Sequence, residues 1–234
     1  MKPIKPLGIK AYGSIPHLPG SRRGPGDKGL SEDQARICTS KARDKHDLII
    51  VQEKLDGSCV AVAQINGEIV PLIRAGYKAA EADYAQHHHF AKWVKKHKFC
   101  FLDLLGEGER CVGEWLLQAH GTKYELKHEP FVAFDIMRGH DRCLSSDLYW
   151  RCREVGIPTP ALLHMGGPLS IDQALTLLDL GHHGGEPEGA VWRVERHFKV
   201  DFLGKYVKPS KVDGCFLESV TGKGPVWNVN PDDL

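Results

Sequence analysis

Strand-like runs that outnumber helical ones and follow each other in hairpin order predict an α+β protein of mostly antiparallel sheets flanked by helices. Two observations carry that reading. Leu48-Ile49-Ile50-Val51 is a short β-branched apolar run of the kind a buried strand uses. Next, Ser58–Ile65 and residues 69–73 flank Asn66-Gly67, the pair that best marks a two-residue hairpin turn. Further strands are expected at residues 111–117, 130–137, 190–194 and 198–207.

The helices are marked by caps and stripes. Ser31 with Gln34 forms a capping-box pair, so a helix is expected to start there. Residues 79–98 read as a helix because Phe90, Trp93, Val94 and His97 fall at i, i+3, i+4 and i+7. Inside it, His87-His88-His89 point around the axis rather than to one place, so no shared metal is expected. Residues 145–155 read as a helix stopping at Gly156. Residues 171–180 form another, with Ser170 and Gln173 as its box, Gly181 as its stop, and a loop to follow. Gly106 and Gly108 precede a strand instead of opening a helix, which excludes a dinucleotide-binding loop.

At 234 residues, 41% hydrophobic and 26% charged, the chain suffices for one full core. No apolar run has the roughly 20 residues of a membrane span, and the first ten residues lack a secretory core, so a cytoplasmic protein is expected. Cys38, Cys59, Cys100, Cys111, Cys143, Cys152 and Cys215 are scattered, with no C-x-x-C spacing, and are expected to be reduced thiols. A net charge of +1 gives no global signal for nucleic acid. The cations cluster instead, at Arg22, Arg23 and Lys28 in a Gly/Pro-rich loop and at Lys92, Lys95, Lys96 and Lys98 on one segment.

Between the first two strands, Glu53-Lys54-Leu55-Asp56-Gly57 is a tight connection. Gly57 permits the bend, and the Lys54 ammonium is held at a sheet end beside Glu53 and Asp56. By spacing alone, such a lysine is either a solvated turn residue or a nucleophile.

Five segments in order, each on or beside an expected strand, decide for the second reading: EKLDGS, VGEWL, FVAFDI, EGAVWR and GKYVKP. Together they resemble the motifs of the covalent nucleotidyltransferases, which are the ATP-dependent RNA and DNA ligases and mRNA capping enzymes. The RNA ligase branch fits best, particularly the group like the second bacteriophage type. The resemblance implies a ligase adenylation domain over residues 48–208. A basic Gly/Pro-rich arm (1–47) precedes it, and a tail (209–234) too short for an OB-fold domain follows.

It also implies roles. Lys54 attacks the α-phosphorus of ATP and holds AMP; the AMP passes to an RNA 5′-phosphate, and a 3′-hydroxyl then seals the strand. Lys205 and Lys208 bind the α-phosphate and lower the Lys54 pKa so that a neutral amine is present. Side chains three apart on a strand face opposite ways, which favours Lys205 of the two. Glu188 binds Mg²⁺ or Mn²⁺, and Glu114 accepts from the ribose hydroxyls. Phe134 stacks on adenine, and Arg74 contacts the nucleotide or the RNA end. Glu53, Asp56 and Gly57 shape the nucleotide loop. Grip on RNA is expected from the arm (Arg22, Arg23, Lys28), the lysine-rich helix or an accessory protein. Alternatives are a minimal ATP-dependent DNA ligase, a GTP-using capping-type enzyme and a non-catalytic nucleic-acid end-binding protein.

Overall fold

A computed structural model describes residues 4–178 and 186–234. In chain order it contains α1 (Glu32–Thr39), β1 (Asp47–Lys54), β2 (Ser58–Ile65), β3 (Glu68–Ile73), α2 (Ala85–Lys96) and α3 (Lys98–Leu104). Then come β4 (Glu109–Trp115), β5 (Phe131–Arg138), β6 (Asp141–Arg142), α4 (Ser145–Glu154), β7 (Leu162–Gly166) and α5 (Ile171–Leu178). β8 (Gly189–Arg196), β9 (Lys199–Val207) and α6 (Glu218–Thr221) complete the order. The strands form two sheets, β7-β1-β8-β9 and β3-β2-β4-β5-β6, and every pairing between them is antiparallel.

Side-chain alternation gives each sheet a face for helices and a face for the site. In the first sheet, Ile49, Val51, Ala190, Trp192, Val194 and Tyr206 pack against α1 and α5. In the second, Val60, Val62, Trp115, Phe131 and Ala133 pack against Phe90 and Trp93 of α2 and Phe101 of α3. Each of those aromatics stabilises the fold by roughly 1.5–3 kcal/mol through removal of apolar area from water. The hairpin turn has the expected form: Asn66 and Gly67 take φ of 52° and 74°, and Ile65 pairs with Glu68.

Both capping boxes form. Gln34 N–H donates to Ser31 Oγ (3.2 Å) and Ser31 N–H to Gln34 Oε1 (3.3 Å); Ser170 and Gln173 repeat the pattern at 3.2 and 3.1 Å. The expected stop at Gly181 and the loop after it, up to Gly185, lie outside the described residues.

The single helix expected over residues 79–98 is divided. Its first part returns to the edge of β3, where Leu72 bridges Lys78, and Tyr84 is extended (φ −99°, ψ 130°), so α2 begins only at Ala85. His97 leaves helical dihedrals (φ −100°, ψ 20°), and α3 continues the chain to Leu104. β7 and the two-residue β6 have no pattern of their own in the sequence; pairing with β1 and β5 makes them strands.

The segments on either side of the motif-bearing region pack onto it. Leu18 N–H donates to Lys205 O (2.8 Å), Lys205 N–H to Pro16 O (2.9 Å) and Arg22 N–H to Val207 O (3.1 Å). Residues 16–22 thus cover the free edge of β9, a row of polar groups that otherwise invites other chains. Ala11 and Tyr12 are buried with Ala61, Leu72 and Val112 on the inner face of the second sheet. Toward the other end, Ala119 N–H donates to Val226 O (2.9 Å) and Asn228 N–H to Leu117 O (2.8 Å), binding the tail to the chain after β4.

One polar network ties the two sheets. Asp135 of β5, fully buried, accepts from Arg193 Nη2 of β8 (2.9 Å), from Arg142 Nη1 and from the Tyr12 hydroxyl (3.2 Å). Removing one partner of a buried ion pair leaves an uncompensated charge. Asp135→Ala is therefore expected to lose about 3–5 kcal/mol of stability in urea unfolding, and a loss below about 1 kcal/mol would refute the linking role.

Candidate active site

A cavity of about 690 Å³ lies between the sheets, lined by Lys54 and Gln52 of β1, Glu114 of β4, Phe134 of β5, Val191 and Arg193 of β8, and Lys205 of β9. Tyr12 to Ile15 form a further wall. The β1–β8 register places Lys54 opposite Gly189, so Glu188 arrives next to the lysine across 134 residues of sequence. Lys54 Nζ donates to Glu188 Oε2 and to Leu55 O (3.3 Å); the two side chains are 21% and 9% exposed. Glycine is needed at 189, since a Cβ there would lie 1.9 Å from Tyr206 O of β9.

The loop after Lys54 is held from three sides. Gly57 N–H donates to Glu114 Oε1 (3.0 Å), and a Cβ on Gly57 would stand 2.6 Å from Trp115 O. Asp56 N–H donates to the Tyr124 hydroxyl (2.9 Å), and Asp56 Oδ2 accepts from Gly121 N–H (2.9 Å). Arg74, at the end of β3, donates to Gly13 O (3.2 Å) and Ser14 Oγ (3.0 Å), so its guanidinium faces the cavity as part of the N-terminal wall.

Phe134 owes its direction to a β-bulge. Val112 pairs with Asp135 and Gly113 with Ala133, leaving Phe134 as the extra residue of β5. Phe134 and Asp135 consequently both reach Tyr12, one by ring contact (centroids 5.1 Å) and the other by hydrogen bond, although consecutive strand residues ordinarily point apart.

Electrostatically the cavity is acidic around one lysine. Burial acts to lower the Lys54 pKa, but the carboxylates of Glu188, Glu114 and Asp56 outweigh it and hold the ammonium above the ordinary lysine value. The lowered value expected from Lys205 and Lys208 is thus not what the cavity imposes. Burial raises Glu53 and Glu114 to about 7 each, against the pull of Lys54 on Glu114, and pushes Glu188 up as well. Lys205 is pushed down by burial and then by the Lys54 charge. One Glu53 carboxylate oxygen is buried with no hydrogen-bond partner.

Lys54, Glu53, Asp56, Gly57, Arg74, Glu114, Phe134 and Lys205 line this one cavity, and Glu188 reaches it through Lys54. Lys208 is one residue past β9, off the cavity wall, with its N–H donating to Glu188 O (3.0 Å). Arg22, Arg23 and Lys28 also lie off the wall. Arg22 pairs with Asp213 (2.7 Å), and Arg23 lies against Gly29.

Sequence reasoning passed over Lys211. It is 7% exposed, donates to Thr122 Oγ1 and stands 3.9 Å from Asp56 Oδ2. No motif or periodicity marks Lys211 or Thr122; the only hint was a third lysine in KYVKPSK. His87 was passed over as well. Its Nε2 bonds Ser58 Oγ (2.8 Å) at the cavity edge, and burial lowers its pKa to about 4, leaving a neutral ring.

Carboxylate oxygens suit a hard divalent cation. Among the described residues no three His, Cys, Asp or Glu side chains converge to hold an ion by themselves. Glu188, Glu114 and Asp56, gathered around the Lys54 ammonium, supply oxygens of that kind, to which substrate oxygens and water would add in the manner usual for Mg²⁺.

Two antiparallel sheets thus close on a cavity in which a lysine at a strand end faces carboxylates. The chain belongs to the RNA ligase family, whose model matches residues 47–208. Among solved structures it is similar to a variant of Naegleria gruberi RNA ligase with ATP and Mn (TM-score 0.53, 17% identity, 85% of this chain and 61% of that one). An apo variant of the same ligase gives 0.54 and 16%, over 95% and 64% of the two chains. A protein assigned as an ATP-dependent DNA ligase from Aquifex aeolicus gives 0.50 and 13%, over 84% and 49%. At these identities the likeness is one of fold, and the chain spans about three fifths of the Naegleria gruberi ligase. No curated protein matches it.

The Glu53 shift makes stability depend on pH. A carboxyl raised from 4.5 to about 7 binds its proton more tightly in the folded state, so its contribution is full below about pH 4.5 and lost as pH rises through about 7. Glu53→Gln is expected to stabilise the protein by about 3 kcal/mol at pH 8 and to be neutral at pH 4. Equal urea midpoints for the two proteins at pH 8 would contradict this.

Proposed function

We propose that this chain is the adenylating part of an ATP-dependent RNA ligase. The observation that carries the reading is Lys54, set at the cavity end against Glu188 with Glu114 and Lys205 on the walls, in a chain of the RNA ligase family. The Naegleria gruberi ligase of like fold was solved with ATP and Mn, which supports ATP and a divalent metal as its requirements here.

Lys54 Nζ, once it has shed a proton to solvent, attacks the α-phosphorus of ATP. The N–P bond forms, the bond to the bridging oxygen breaks, pyrophosphate leaves, and the nitrogen gives up a second proton to solvent. An RNA 5′-phosphate oxygen then attacks the same phosphorus and Lys54 departs, regaining a proton. Finally a 3′-hydroxyl attacks the activated 5′-phosphate, AMP leaves and the strand is sealed. Mg²⁺ or Mn²⁺ held by Glu188 supplies, when bound, neutralisation of the pyrophosphate and competition with the ammonium for that carboxylate.

The chain's own groups do the positioning. Phe134 and Val191 offer apolar walls from opposite sheets for adenine. Glu114 accepts from the ribose while holding the Gly57 amide, and Arg74 receives the phosphates or the RNA end. Lys205 supplies positive potential, and Lys211 keeps Asp56 and the lysine loop in place. The acceptor is RNA with a 5′-phosphate and a 3′-hydroxyl, with an accessory protein as a further source of grip. The seven free thiols fit a reducing cytoplasm.

Intact mass after incubation with ATP and Mg²⁺ tests the first step. A gain of one AMP is expected, absent in Lys54→Ala; no gain in protein whose starting mass lacks AMP overturns the reading. RNA nicks are expected to be sealed in preference to DNA nicks, and the reverse order would make this a DNA ligase. Lys205→Ala is expected to slow adenylylation roughly 100-fold. Lys208→Ala, off the cavity wall, is expected to stay within about threefold of the parent in the same assay.

A further inference from the structure

We propose that the exposed face of α2 is a track for the RNA backbone leading from the cavity mouth, an inference that rests on the RNA ligase reading. α2 has the sequence AQHHHFAKWVKK, without an acidic residue. Gln86, His87, Phe90, Trp93 and Val94 are buried on its inner side, while His88, Lys92, Lys95 and Lys96 are exposed. Offsets of four, seven and eight place those four on one face. The row spans about 12 Å at 1.5 Å per residue, the length of a few nucleotides. It begins beside His87, whose ring lines the cavity and bonds Ser58.

Among the described residues, Lys92, Lys95 and Lys96 have no carboxylate within ion-pair distance, whereas Lys98 pairs with Glu68 (3.0 Å). Asp232 acts on His89, which is about 100° round the helix from His88. Lys95 and Lys96 offset the helix dipole at the C-terminal turn. Lys92 is a turn earlier and repels both. A face kept unpaired despite that repulsion is matched by an external anion.

The aromatic residues identify which anion. Tyr84, before the helix, and Phe99, after it, are 67% and 78% exposed, and rings flanking a basic row are stacking platforms for bases. A lipid surface is a poorer match, because the apolar side of α2 is already spent on the core and none is left to insert. By contrast, Arg22 of the arm is already paired with Asp213.

The test combines Lys92→Gln, Lys95→Gln and Lys96→Gln in one variant, which preserves helix propensity. Binding of a 5′-phosphorylated RNA oligonucleotide is measured against salt, beside AMP transfer to that RNA and self-adenylylation with ATP. The expected result is a log–log salt slope smaller by about 2 and a raised KM for RNA, with self-adenylylation unchanged. The triple Lys→Arg variant is expected to keep the parental slope. An unchanged slope and KM in the glutamine variant overturns the track, as does a loss confined to self-adenylylation. A parent protein that neither binds RNA nor transfers AMP to it overturns the ligase reading itself, an outcome visible without any variant.

Discussion

The pairing of Lys54 with Glu188 depends on one strand register, and much of the molecule is arranged to hold it. β1 and β8 must align Lys54 with Gly189, which requires β8 to approach β9 more closely than any side chain at 189 would permit. Gly57 does the same on the other side of the lysine, letting the loop lie against Trp115 while its amide reaches Glu114. A one-residue slip of β1 would turn Lys54 away from Glu188 to the helix-packed face, since strand side chains alternate.

Such a site opposes the stability of its own fold. Glu53 and Glu114 are raised to about 7 by burial, and three carboxylates share one buried ammonium. The two sheets tolerate this because they are tied elsewhere, through Asp135 with Arg193 and Arg142 and through the aromatic packing under α2. The bulge at Phe134 joins the two demands. It turns Asp135 toward the inter-sheet network and leaves Phe134 facing the nucleotide-sized cavity.

Legibility followed the range of the forces involved. Capping at Ser31 and Ser170 and the turn at Asn66-Gly67 are decided within a few residues, and they were readable. β7 was not, because a half-exposed edge strand gets its structure from the partner it pairs with. The late start of α2 at Ala85 escaped the periodicity of residues 79–98, since the return to β3 is a tertiary constraint. Lys211 was invisible for the same reason: its burial comes from Thr122 and Asp56, which are 89 and 155 residues away in sequence.

By itself the sequence determined the α+β class, the apolar strand that leads into the Lys54 connection, and the order of the five segments around it, because alternation, β-branching and turn chemistry act locally. Only the tertiary structure decided which lysine of GKYVKPSK lines the cavity, that a bulge aims Phe134, and that the ammonium is held by carboxylates rather than freed by cations. Those outcomes depend on distances of a few ångströms between strands far apart in the chain, and charge interactions inside a buried cavity are set by such distances.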